Sequence, residues 1–213
     1  MALQRAAPRG RPARRATFGP SVLTLLKTIL MAGCGIALGL SATALAVRGG
    51  FGFGAVHAGS WTAWPGTGTR DIDPYARATI ARSGEIPLGL AEGLLLAAAR
   101  DAGGEWLEGR CDYAIAGAVP ASRFWTLTLD TPDGAPIANP LHRHGMTSSE
   151  VVRDEAGHFE ITISAHARPG NWLPVGHDKR FVAVLRLYDT VASASAAALD
   201  AAALPVIRRT GCR

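Results

Sequence analysis

Hydrophobic and polar positions obey two different rules along this chain. Residues 28–47 (TILMAGCGIALGLSATALAV) run for twenty positions without a charge. At about 1.5 Å rise per residue a helix of that length spans roughly 30 Å, the thickness of a bilayer's hydrocarbon core. Lipid offers the backbone no hydrogen bonds, so such a run predicts a membrane-spanning helix. From Arg110 onward the apolar residues alternate instead. In residues 124–130 (FWTLTLD) Trp125, Leu127 and Leu129 share one face and Thr126 and Thr128 the other, while Phe159, Ile161 and Ile163 alternate with Glu160, Thr162 and Ser164. Alternation of this kind predicts half-buried strands. Residues 181–188 are nearly continuous in apolar side chains until Arg186, the pattern of a central strand. Gly/Pro turns at 132–134, 154–157 and 169–171 punctuate these segments, and Trp172 with Leu173 is expected to plug the end of a core. The expected fold class is all-β, a jelly-roll-like antiparallel β-sandwich.

Between the two regimes the signals are mixed. Asp73-Pro74 opens a short helix over residues 74–82, with Asp as N-cap and Pro at the first helical position, and Gly84 closes it. Residues 48–69 hold seven glycines with Phe51, Phe53, Trp61 and Trp64 among them. They read as a stalk, its aromatics set either in the lipid headgroup layer or against the folded domain. Residues 88–102 are rich in Ala and Leu, which favours helix by propensity. Residues 192–203 read as a short helix or a loose excursion. The organisation is thus a basic head over 1–22, a span over 23–47, a stalk over 48–69 and a β-sandwich domain over 70–213.

Charge orients the span. Arg5, Arg9, Arg11, Arg14 and Arg15 precede it, and basic residues stay on the cytoplasmic side. The chain is therefore expected in a bacterial inner membrane, with its N-terminus cytoplasmic and its C-terminal domain periplasmic. A signal peptide cleaved after Ala46, in the small-x-small sequence Ala44-Leu45-Ala46, exports the same domain. The retained anchor is preferred because signal-peptide apolar regions run only about 7 to 15 residues. The same distribution removes a nucleic-acid partner. Of the 22 basic residues behind the net charge of +5, six lie in the first 47 positions with no acidic residue, leaving 16 basic against 17 acidic in the remainder. The basicity belongs to the topology signal and not to a binding patch.

Three cysteines are present. Cys34 lies in the span, whereas Cys111 and Cys212 lie in the exported body, where an oxidising compartment permits a bond; two unpaired buried thiols are the other reading. A bridge would close a loop of about 100 residues, worth about 4 to 5 kcal/mol in the chain-entropy model, with Cα atoms about 4.4 to 6.8 Å apart.

Several phrases in order carry a family resemblance: Asp73-Pro74-Tyr75-Ala76-Arg77-Ala78, Gly84-Glu85-Ile86-Pro87-Leu88-Gly89, Gly109-Arg110-Cys111-Asp112-Tyr113, Phe124-Trp125-Thr126-Leu127-Thr128-Leu129, Asn139-Pro140-Leu141, Gly170-Asn171-Trp172-Leu173-Pro174 and Leu185-Arg186-Leu187-Tyr188-Asp189. Over about residues 70–213 the chain resembles the bacterial domain-of-unknown-function family 1214. The resemblance implies a jelly-roll-like sandwich, often joined in larger proteins to a second domain of unknown function. It also implies that residues 88–102 form a strand ending in a turn at 101–104, against their helical propensity. It carries no catalytic residues.

The residues nearest to chemistry are His142-Arg143-His144. Alternate residues of a strand share a face, so two imidazoles here have the spacing of a metal pair. In the cupin pattern this resembles, however, a Glu follows after three or four residues, whereas here five residues separate Glu150 from His144. No metal, cofactor or catalytic set is therefore expected. Asn139, His142, Arg143 and His144 are expected to line a ligand groove beside the Asn139-Pro140 turn. Arg123, Arg143, Arg168 and Arg186 either clamp an anionic or sugar ligand or pair with the domain's own carboxylates. The expectation is a membrane-anchored binding or structural module whose partner is an envelope protein, a glycan or a small molecule. The alternative is an envelope hydrolase or metal-assisted enzyme using the His142/His144 region.

Overall fold

A computed structural model describes residues 21–49, 54–70, 72–83, 87–89, 91–139, 141–176, 180–191 and 199–212. The basic head, the Gly84 stop, Pro140, His177 and residues 192–198 lie outside them. The chain divides into two units, Met1–Leu45 and Ala46–Arg213.

The N-terminal element is α1 (Val22–Gly49). Its stretch Val22–Val47 is long and apolar enough to cross a membrane, and none of that window is buried against protein. Ser21 opens it by accepting from the Thr24 N–H at 3.3 Å. Thr28 and Thr43 turn their hydroxyls back onto the carbonyls of Leu25 (2.8 Å) and Gly39 (2.9 Å). A lipid-facing helix needs this, because a hydroxyl in hydrocarbon has no water to bond.

The second unit is mostly β, built of two sheets that do not close into a barrel. The first has six antiparallel strands: β1 (Val56–Ala58), β2 (Trp61–Ala63), β3 (Gly93–Ala98), β5 (Ser122–Asp130), β6 (Gly145–Thr147) and β9 (Val182–Thr190), in the order β1-β2-β3-β9-β5-β6. The second has four: β4 (Cys111–Gly117), β7 (Phe159–Ser164), β8 (Trp172–Pro174) and β10 (Val206–Cys212), in the order β10-β4-β7-β8. The alternating residues meet between the sheets, Leu94, Leu96, Trp125, Leu127, Leu129, Leu185 and Leu187 from one and Tyr113, Ile115, Ile161, Ile163, Leu173 and Ile207 from the other, all buried in one core. Full burial of each such side chain stabilises the fold by about 1.5 to 3 kcal/mol, which sets both register and facing.

The strand alternation, the central place of residues 181–188 and the strand within residues 88–102 are all present. The helix α2 (Pro74–Ser83) starts as expected, with Asp73 Oδ1 accepting from the N–H groups of Tyr75 (2.8 Å) and Ala76 (3.3 Å). Two readings change. Trp172 and Leu173 lie on an edge strand, β8, running parallel to β7, from which Leu173 still fills the core. Part of the glycine-rich segment is sheet and not stalk: β2 pairs with β3, Trp61 is 2% exposed, and its Nε1–H donates to the Pro205 carbonyl at 2.7 Å. A buried indole with a bonded N–H outweighs the flexibility that the glycines lend.

Cys111 and Cys212 are disulfide-bonded. Their Cα atoms are 4.0 Å apart, closer than the expected range, because the two are direct cross-strand partners on β4 and β10, where backbones approach most nearly. At the other end of its length β10 is covered: besides Pro205, the carbonyl of Ile207 accepts from the Ala102 N–H at 2.8 Å.

Candidate functional site

The loop between β5 and β6 holds the expected ligand residues, and one amide organises it. Asn139 is only 7% exposed. Its Oδ1 accepts from the N–H groups of Leu141 (3.2 Å) and Arg143 (3.1 Å), and its Nδ2 donates to the Arg143 carbonyl (3.0 Å). Asn residues favour such self-bonded turns because the side chain mimics a backbone group. Its polar atoms are thus engaged by the loop itself. The tight path drives His142 to φ 53°, a left-handed conformation that costs a β-carbon-bearing residue about 1 kcal/mol or more.

His142 and Arg143 are exposed and His144 is half-buried. The two imidazole centroids lie 6.5 Å apart with planes at 67°. His144 Nδ1 sits 3.1 Å from the Ile137 carbonyl, which only accepts, so this nitrogen carries the proton, and Nε2 has no hydrogen-bond partner among the described residues. Glu150 does not join the pair. It accepts at Oε2 from the Thr147 hydroxyl (2.9 Å) and the Thr147 N–H (2.8 Å), and these bonds, helped by Arg143, hold its carboxyl below the ordinary range. Among the described residues no group of three His, Cys, Asp or Glu converges as a metal site. His158 faces Asp154 in its own turn at 3.7 Å.

The arginines read from the sequence divide similarly. Arg168 pairs with the half-buried Asp112, Arg123 with Asp189 at 3.4 Å, and Arg186 donates to Thr128 Oγ1 at 3.1 Å. The denser cluster involves arginines that the sequence did not single out. It lies at the β3–β4 connection, where Asp101 Oδ1 accepts from the N–H groups of Gly103 (2.9 Å) and Glu105 (3.0 Å) and Gly104 takes φ 83°. Trp106 follows at 39% exposure. The guanidinium carbons of Arg100 and Arg180 lie 3.8 Å and 5.2 Å from its ring centroid. Arg209 on β10 bridges to Asp101 (3.2 Å) and donates to the Trp106 carbonyl (3.1 Å). Glu108 pairs with Arg110 (2.6 Å) and, at 3.9 Å, with Arg180. Residues 101–103, Glu105 and residues 207–209 bound a shallow concavity of about 370 Å³ beside this cluster. A sequence signal that could have found it is Trp106 standing among charged residues just after the turn predicted at 101–104.

Comparison with known proteins bears on the fold. Residues 92–192 match the family model described as a protein of unknown function (DUF1214), within the stretch carrying the phrases quoted above. The crystal structure of the VPA0106 protein from Vibrio parahaemolyticus is similar, with a TM-score of 0.51 and 26% identity over 66% of this chain. The chain spans 36% of that protein's length. A protein structure from Burkholderia cenocepacia shares 14% identity over 92% of this chain and 44% of its own, with a TM-score of 0.37, too low to bear on the fold. No curated protein matches.

Proposed function

Taking as premise a sandwich whose residues 92–192 match the DUF1214 family, we propose that this chain is a membrane-anchored binding module displayed on the periplasmic side of a bacterial inner membrane. The observation that carries the reading is the joining of one lipid-length helix to a β domain closed by Cys111–Cys212. Disulfides persist in oxidising compartments and are rare in the cytosol, and five arginines ahead of the helix favour the same orientation. In this reading His142, Arg143 and Nε2 of His144 face the ligand, and Asn139 holds the loop that presents them. The ligand class is an envelope protein, a glycan or a small molecule.

Reporter fusions test the placement. Alkaline phosphatase fused after Arg213 is expected to be active and β-galactosidase inactive. The opposite pattern, or two freely alkylated body cysteines in protein taken from its native envelope, overturns the reading.

A further inference from the structure

We propose that the cluster of Arg100, Trp106, Arg180 and Arg209 at the β3–β4 end of the sandwich is a binding site for a phosphoryl-bearing anion. This inference stands on the fold and is independent of the His142 loop. Five arginines (100, 110, 180, 208 and 209) gather here against three carboxylates (Asp101, Glu105 and Glu108), a local charge of +2 in a chain whose residues after position 47 sum to −1. Two of the three carboxylates are already committed. Asp101 spends one oxygen on its turn and the other on Arg209, and Glu108 is shared between Arg110 and Arg180.

Donors therefore exceed acceptors. Arg100 gives Nη1 to the Gly104 carbonyl at 2.7 Å and has no carboxylate among the described residues. Arg180 offers Glu108 only its Nε, at 3.9 Å, with its side chain 57% exposed. Both guanidinium carbons lie near one indole centroid, so they are no more than about 9 Å from each other. Two like charges beside one ring repel, and a bound anion that contacts both offsets that repulsion. A phosphoryl group matches the planar N–H fork of each guanidinium, and the half-exposed indole gives the rest of the ligand an apolar surface. Arg209 steadies the arrangement by tying the Trp106 carbonyl to Asp101.

A soluble phosphate compound and a phospholipid headgroup present the same chemistry, and the test separates them. The full chain in neutral detergent is titrated by calorimetry at fixed ionic strength with sodium pyrophosphate and, separately, with glycerophosphoglycerol, a headgroup diester. Saturable binding of either supports the site, the first pointing to a soluble ligand and the second to lipid. Arg100→Gln with Arg180→Gln is expected to weaken it at least about tenfold. Arg123→Gln, which removes one arginine charge elsewhere, leaves it unchanged. Glu108→Gln releases Arg110 and Arg180 and is expected to tighten binding about threefold, an effect that misfolding cannot imitate. The proposal is overturned if neither probe binds below about 10 mM, if the double variant binds as tightly as the original chain, or if Glu108→Gln weakens binding.

Discussion

The loop at 139–144 and the end around Trp106 are both polar, both arginine-bearing and both set between strands, yet they are held in opposite ways. The loop is organised from within by one buried amide, Asn139, which bonds residues no more than four positions away. The Trp106 end is assembled from distant segments, the 99–110 connection, Arg180 and β10, drawn together by the Cys111–Cys212 bridge and by Arg209. A locally bonded loop keeps its shape when the sandwich loosens. An end built by tertiary contact keeps it only while the strands stay in place.

The largest effect should come from removing that bridge. Cys212→Ser lifts the constraint on a 101-residue separation and is expected to cost about 4 kcal/mol of stability. In hydrogen exchange the loss should appear in β10, β4 and residues 99–110, with little change at 137–147. Equal loosening of both regions would erase the contrast. Next comes Asn139→Ala, which strands several backbone groups and should cost about 2 kcal/mol. Asn139→Asp keeps the two accepted bonds and should cost about half of that. Thermal melts give the magnitudes, and imidazole NMR shifts of His142 and His144 should move while the Trp106 indole signal stays. If the Trp106 signal moves equally, the loop is not self-contained.

Smaller still is Arg100→Gln. Its guanidinium lies over a partly exposed ring, so the stability change should stay within about 1 kcal/mol, marking that contact as dispensable to the fold. A loss of several kcal/mol in a denaturation series would make the cluster a structural strut. The smallest effect is acid titration of the loop's far side. Glu150 titrates below its ordinary value of 4.5, chiefly through the Thr147 hydroxyl, so its stabilising contribution is present above that value and fades as pH falls below it. Thr147→Val should raise the carboxyl's midpoint in carbon-detected NMR. An unmoved midpoint would assign the shift to the Thr147 backbone N–H, which the substitution keeps, and to Arg143.

Much of the fold was readable because the core obeys a period of two: Trp125, Leu127 and Leu129 had to face inward together, and a one-residue slip would have exposed all three. The disulfide was read from a different signal, two cysteines in a domain expected to be exported to an oxidising compartment. The sheet role of Trp61 was not readable, because its partner, the Pro205 carbonyl, lies 144 residues away and the intervening glycines suggest freedom. The His142 pair drew notice by spacing alone, which says nothing of Glu150 being tied to Thr147. Arg100, Arg180 and Arg209 drew none, since only the topology brings them to one indole.

A helix able to cross a membrane confines its passenger to a plane, where neighbouring copies meet far more often than they do in solution. Open strand edges are hazardous under such crowding, because each offers a template on which the next molecule's strand can add. At the start of β10 that template is interrupted: the carbonyls of Pro205, just before the strand, and of Ile207 are occupied by the indole of Trp61 and the amide of Ala102. The indole that fastens the first residues of the domain therefore also takes up an acceptor that an added strand at this edge would use.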